Sequence, residues 1–180
     1  MKYYEFTLIA KGIEEYQDPI VEIGDDLIDA GVDDCIVVMR NNAVLLDFDR
    51  ESISYMEATL SAIKQIEKIT KLVVISIDAG QYIGLSDAAE LSDMTRSALS
   101  KYSTGRRGDG TFPCPYLRVS GKTPLYDWAE VSEWLSSKRI IENELAQNAR
   151  ITSKINTSLK IRNRNELEEI KSITNQLLAS

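Results

Sequence analysis

The chain has no histidine, and only two cysteines and four prolines among 180 residues. The missing histidine removes the commonest general base and the commonest metal ligand. It also excludes every Ser-His or Cys-His nucleophile arrangement. Cys35 and Cys114 are distant and fall in different predicted domains, so a disulfide framework is not expected. No apolar run approaches the roughly 18 residues that a membrane span requires. The opening MKYYEFTLIA alternates and carries Glu5, which reads as a strand and not as a signal peptide. Two reduced thiols and a cytoplasmic location are the expectation.

Basic residues are also few overall, and the formal net charge is −7. The deficit is unevenly spread. Residues 1–84 hold 7 basic and 16 acidic side chains, 85–135 hold 6 and 7, and 136–180 hold 8 and 5. Between positions 95 and 124 the cations are Arg96, Lys101, Arg106, Arg107, Arg118 and Lys122, against Asp109 alone. Screening at physiological salt acts over about 8 Å, so this local excess outweighs the chain total.

The first 78 residues predict an α+β domain. Lys2–Ala10 alternates as a strand, with Tyr4, Phe6 and Leu8 on one face. Ile20–Ala30 suits a helix facing inward through Ile20, Ile23, Leu27 and Ala30, and Gly31 stops it. Asp34–Arg40 and Ala43–Phe48 are strands joined at Asn41-Asn42, since Asn tolerates positive φ. Ser52–Ile69 is an amphipathic helix with Met56, Leu60, Ile63, Ile66 and Ile69 on its apolar side, and Leu72–Ile77 is a fourth strand. The order β-α-β-β-α-β is that of the ferredoxin-like arrangement, an antiparallel sheet with two helices on one face. That fold hosts enzymes, sensors and scaffolds alike. This half is where a protein partner or a small ligand is expected. Asp47, Asp49 and Glu51 gather at one strand end, but nothing positions a nucleophile beside them, so no enzyme is expected. Asp25, Asp26, Asp29, Asp33 and Asp34 lack the glycine turn of a calcium loop and read as a solvated face. No metal, no cofactor and no catalytic residue is expected.

Residues 79–84 read as a linker. From Leu85 the sequence runs LSDAAELSDMTRSALSKY, two short helices around a break at Ser92-Asp93-Met94. Ser86 is the expected cap of the first helix and Thr95 of the second. Leu91, Met94, Leu99 and Tyr102 are expected inside. That leaves Arg96, Ser97, Ser100 and Lys101 outside. An Arg near the start of such a helix can fork two hydrogen bonds to guanine in a major groove. Next, Phe112-Pro113-Cys114-Pro115 cannot be helical. Tyr116–Val119 and Pro124–Tyr126, around Ser120-Gly121, predict a short hairpin with Arg118 and Lys122 near its tip. Asp127 then caps a helix bearing Trp128, Val131, Trp134 and Leu135. Gly121-Lys122-Thr123 copies the end of a P-loop, but Tyr116 stands where its first glycine belongs.

These fifty residues, with their FPCPYLRVSG and LYDWAEVSEWL segments, resemble the winged helix-turn-helix domains of the MerR and excisionase type. The resemblance implies binding of double-stranded DNA as a sequence-specific transcriptional regulator. Arg96, Ser97, Ser100 and Lys101 would then read bases. Thr95, Arg106, Arg107, Arg118 and Lys122 would hold the DNA backbone. The insert Ser103–Thr111 departs from the family by its length. Its arginines either reach DNA or sit in a solvated loop. The alternative function is a protein-interaction module, an antitoxin or accessory subunit, whose acidic first domain binds a partner protein. Residues 136–180 predict helices, with Ile141, Leu145, Thr152, Ile155 and Leu159 near a heptad rhythm and Asn148 in the seam. A break at Arg162–Asn165 precedes Leu167, Ile170, Ile173 (or Thr174) and Leu177. This arm is the expected contact of a homodimer.

Overall fold

The computed structural model describes residues 1–78 and 80–179. Ala79, in the expected linker, and Ser180, at the end of the expected arm, lie outside the described residues. The protein is a mixed α+β chain that divides into two compact units, Met1–Asp78 with Lys154–Ser180, and Ala79–Ser153.

The first unit is built on β1 (Lys2–Lys11), α1 (Pro19–Asp29), β2 (Cys35–Arg40), β3 (Ala43–Ser52), α2 (Tyr55–Ile69) and β4 (Val73–Ile77). The strands form one antiparallel sheet in the order β2-β3-β1-β4. Each helix thus connects two strands that have a third between them. The period-two pattern puts Phe6, Leu8, Ala10, Val44, Leu46 and Phe48 on the covered face, where Phe6 and Phe48 are register partners with stacked rings. Asn41 and Asn42 both take positive φ, as a tight hairpin between β2 and β3 requires. At the end of α1, Gly31 has a φ of 67°. The Gly31 N–H reaches the Ile28 carbonyl and the Val32 N–H the Leu27 carbonyl, closing the helix in a Schellman turn.

Two helix faces differ from the sequence reading. In α1 only Ile23 and Leu27 are buried, while Ile20 and Ala30 are exposed. In α2 the buried side chains are Tyr55, Ala58, Thr59, Ala62, Ile63 and Ile66, whereas Met56 and Leu60 are exposed. The small residues let α2 lie close to the sheet, and close approach outweighs side-chain size in choosing the inner face. The helix starts at Tyr55 and not at Ser52, which ends β3, and Ser54 caps it by accepting the Glu57 N–H.

The outer edge of β4 is sealed by side chains. The Val74 N–H donates to Glu67 at 2.9 Å, and Arg162 donates to the Val74 carbonyl at 3.0 Å. Asn156, 5% exposed, accepts from the Ile77 N–H at 2.7 Å and donates to the Ile77 carbonyl at 3.1 Å. These groups do what a further strand would do for a sheet edge.

Asn156 and Arg162 bracket the end of α6 (Asn143–Ile161), and α7 (Arg164–Leu178) follows, capped by Asn163. The break between the helices falls where the sequence predicts it. In α6 the buried stripe is Ala146, Ala149, Thr152, Ile155 and Asn156. Asn148, placed in a seam by the heptad reading, is only half-buried. No side chain of α7 is buried, and Ile170, Ile173 and Leu177 are exposed.

The second unit opens with a two-residue strand, β5 (Tyr82–Ile83), inside the stretch expected as linker. It continues with α3 (Leu85–Leu91), α4 (Arg96–Ser103), β6 (Tyr126–Asp127) and α5 (Trp128–Ser137). Ile83, Ala88, Leu99, Trp128, Val131 and Leu135 make its core.

Candidate nucleic-acid interface

The helix pair α3–α4 is shaped by three local devices. Gly84, not Ser86, precedes α3, and its N–H donates to the Asp87 carboxylate at 3.2 Å. Ser86 sits within the first turn. Between the helices Asp93 takes a φ of 51°. The Asp93 N–H reaches the Glu90 carbonyl and the Met94 N–H the Ala89 carbonyl at 2.8 Å, a Schellman turn built without glycine. Thr95 then caps α4, its hydroxyl accepting the Ala98 N–H at 3.1 Å. Ala88 and Ala89 let α4 approach α3, and Leu99 and Tyr102 turn into the core. Leu91, expected inside, is exposed because the turn carries the chain away at Ser92, which is buried in its stead.

Arg96, Ser97 and Lys101 are exposed on the outward side of α4, and Ser100 is half-buried. The exposed Thr95 stands at the same helix start. Arg96 and Lys101 lie five residues apart on α4, about one and a half turns.

The insert between α4 and Phe112 is tied down. The Arg106 and Arg107 N–H groups both donate to the Lys101 carbonyl, at 2.8 and 3.0 Å, and the Arg107 guanidinium lies over the Tyr102 ring, 4.8 Å from its centre. Gly108 has a φ of 83°, and a Cβ there would meet the Tyr102 ring at 3.1 Å. Asp109 takes the ammonium of Lys138 at 2.6 Å and the hydroxyl of Thr111 at 2.6 Å. Trp134 donates its ring N–H to that same Thr111 oxygen at 2.9 Å. Lys138, then Thr111, hold the Asp109 carboxyl well below the usual carboxylate range. The insert therefore carries Arg106 and Arg107 on a segment fastened to α4 and α5. The Asp109–Lys138 contact, 29 residues apart, had no signal in the sequence.

The hairpin is smaller than expected. Leu117 and Leu125 form an isolated bridge, with Tyr116 and Leu117 N–H groups donating to the Leu125 carbonyl and the Leu125 N–H to that of Leu117. The returning Tyr126–Asp127 pairs instead with Tyr82–Ile83. The stacked rings of Tyr82 and Tyr116, 5.0 Å apart, hold the outgoing strand beside β5. Burial, then the neighbouring Tyr116, raises the Tyr82 phenol. At the tip Arg118 has a φ of 53° and its carbonyl accepts the Gly121 N–H at 2.8 Å. Arg118 and Lys122 are both exposed there. Asp127 caps α5 as expected, accepting from Ala129 at 2.8 Å.

The chain matches no protein-family model, no curated protein and no solved structure.

The site's own electrostatics carry the reading. Among the described residues, Arg96, Lys101, Arg106, Arg107, Arg118 and Lys122 form no ion pair. The one acid within that stretch, Asp109, is taken by Lys138 from outside it. The structure thus joins Arg106 and Arg107 to α4, and Arg118 to Lys122 through one turn. Among the described residues no hydrogen bond or ring contact joins these two groups. No group of His, Cys, Asp and Glu suited to a metal ion occurs among the described residues. Exposed guanidinium and ammonium groups without a competing carboxylate suit binding of a polyanion.

Proposed function

We propose that the protein binds double-stranded DNA in a sequence-specific manner and regulates transcription. In this reading the second unit is a winged helix-turn-helix and the first a ferredoxin-like domain. The helix α4 enters the major groove, where Arg96, Ser97, Ser100 and Lys101 meet base edges. Thr95, Arg106, Arg107, Arg118 and Lys122 meet the phosphates. Two copies on neighbouring half-sites would place two such helices about 34 Å apart. The observation that carries the reading is six exposed cations between Arg96 and Lys122 that form no ion pair among the described residues, in a stretch whose one acid, Asp109, is neutralised by Lys138.

Selection from a random duplex pool, followed by mobility shifts on the winning site, tests it. Arg96→Ala is expected to cost about 1–3 kcal/mol on that site and to relax preference at one base pair. Equal binding of all sequences by the unaltered protein, or an unchanged preference in Arg96→Ala, overturns the assignment of α4.

A further inference from the structure

The sheet of the first unit has a second face that α1 and α2 leave uncovered, with Leu159–Glu166 of the same unit beside its Lys11 and Val73–Ile75 margin. Ile36, Val38, Val73 and Ile75 are each at least 40% exposed on it, and Ile9 and Leu45 lie half-buried between them. The cross-strand pairs Ile9↔Leu45 and Val38↔Leu45 make this one apolar band across the sheet. Contiguous exposed apolar surface of this kind is uncommon on a monomer.

The band is flanked by opposite charges. Toward the start of β1 lie Glu5, Asp49 and Glu51, and Glu5 and Asp49 are direct register partners. Like charges placed opposite each other on neighbouring strands destabilise a sheet. Among the described residues neither has an ion-pair partner. Toward the other end lie Lys11 and Arg40, also without ion pairs there. Glu5 and Lys11 are six residues apart on β1, about 20 Å at the strand rise. Their midpoint is Leu8. The midpoint between Asp49 and Ala43, the register partner of Arg40, is Leu46, and Leu8 and Leu46 are themselves paired. One two-fold axis lying across the strands at that row would set Glu5 of one copy over Lys11 of another, and Asp49 over Ala43, one strand away from Arg40. Asp47, near the middle of the face, already has its hydrogen bond from Thr7 at 2.6 Å.

We infer that this open sheet face is the contact between two copies of the chain, apolar at its centre and held in register by Glu5 and Asp49 against the partner's Lys11 and Arg40. A closed, isologous contact follows, because the face is complementary to itself. The inference deepens the two-copy part of the proposed function and stands independently of the DNA contact.

The test is the mass of the full chain in solution, without DNA, by sedimentation equilibrium. The unaltered protein is expected to reach the mass of two copies. The pair Lys11→Glu with Arg40→Glu makes both ends of the face acidic, and Glu5→Lys with Asp49→Lys makes both ends net basic, two lysines outweighing Glu51. Each pair is expected to weaken self-association at least tenfold, and an equimolar mixture of the two is expected to restore the two-copy mass. All four sites are on the surface. Circular dichroism checks folding, and Val38→Asp, also expected to weaken association at least tenfold, serves if either pair fails to fold. A single-copy mass for the unaltered protein, an unweakened dimer in either pair, or a mixture that stays monomeric overturns the inference. A monomer that still selects a DNA site removes this contact alone. A dimer that selects none leaves the contact standing and removes the DNA reading.

Discussion

The proposed DNA contact has an ion dependence that can be worked out from its residues. Four cations are assigned to phosphates: Arg106, Arg107, Arg118 and Lys122. Each phosphate neutralised contributes a slope of about −0.9 in log K against log salt, so four give about −3.6 per chain. Raising salt from 50 to 200 mM should then weaken binding by roughly 150-fold. Lys122→Ala should reduce the slope to about −2.7 and the loss to roughly 40-fold, alike on specific and random duplexes. Arg96→Ala should leave the slope near its original value while lowering discrimination, because its partner is a base. Fluorescence anisotropy titrations at four or five salt concentrations separate these outcomes. If Lys122→Ala left the slope untouched, the hairpin tip would not touch DNA and the assignment of Arg118 would fall with it.

Two further outcomes follow from groups away from the interface. Asn156→Ala leaves the Ile77 N–H and carbonyl without partners, and an orphaned buried backbone group costs about 1–3 kcal/mol. A loss of about 2–5 kcal/mol is therefore expected in the protection of β4 amides by hydrogen exchange, and a change below 1 kcal/mol would mean that solvent replaces the clamp. Burial, then the charge of Asp34, pushes the Cys35 thiol up to about 12. Since the folded protein holds that proton more tightly than the unfolded chain, its contribution to stability is complete below the ordinary thiol range and is lost as pH rises toward 12. Alkylation of the native protein at pH 8 should label the exposed Cys114 first and the half-buried Cys35 more slowly, because so little of its thiol is ionised there; equal rates would refute the raised thiol.

Strands and turns were legible because their signals are local. Alternation in Lys2–Ala10 and Ala43–Phe48, positive-φ tolerance at Asn41 and Asn42, and the caps at Thr95 and Asp127 all act within a few residues, whereas the end of β3, at Ser52, reads as the start of a helix. On α2 the large side chains Met56 and Leu60 point the sequence reading to the wrong face, because the smallness of Ala58 and Ala62 is what allows contact. Two-residue β5 is too short for any periodic signal, so its pairing with Tyr126–Asp127 leaves no trace in the sequence, and that pairing takes the residues that alternation alone assigns to the hairpin. Glu67, Asn156 and Arg162 look like ordinary polar positions, and only a fold that brings Ile77 to a residue 79 positions away reveals their task. In the candidate site, the six cations were readable from composition, while the neutralisation of Asp109 by Lys138 was not.

The clamp on β4 makes the first unit's sheet extensible from one side only. With Val74 and Ile77 already engaged, an incoming extended peptide is left with β2 (Cys35–Arg40), the opposite border, whose outward edge no strand pairs with among the described residues. Any chain that lengthens this sheet by main-chain pairing is thereby directed to lie next to CIVVMR, antiparallel or parallel to it, and is turned away at the far margin.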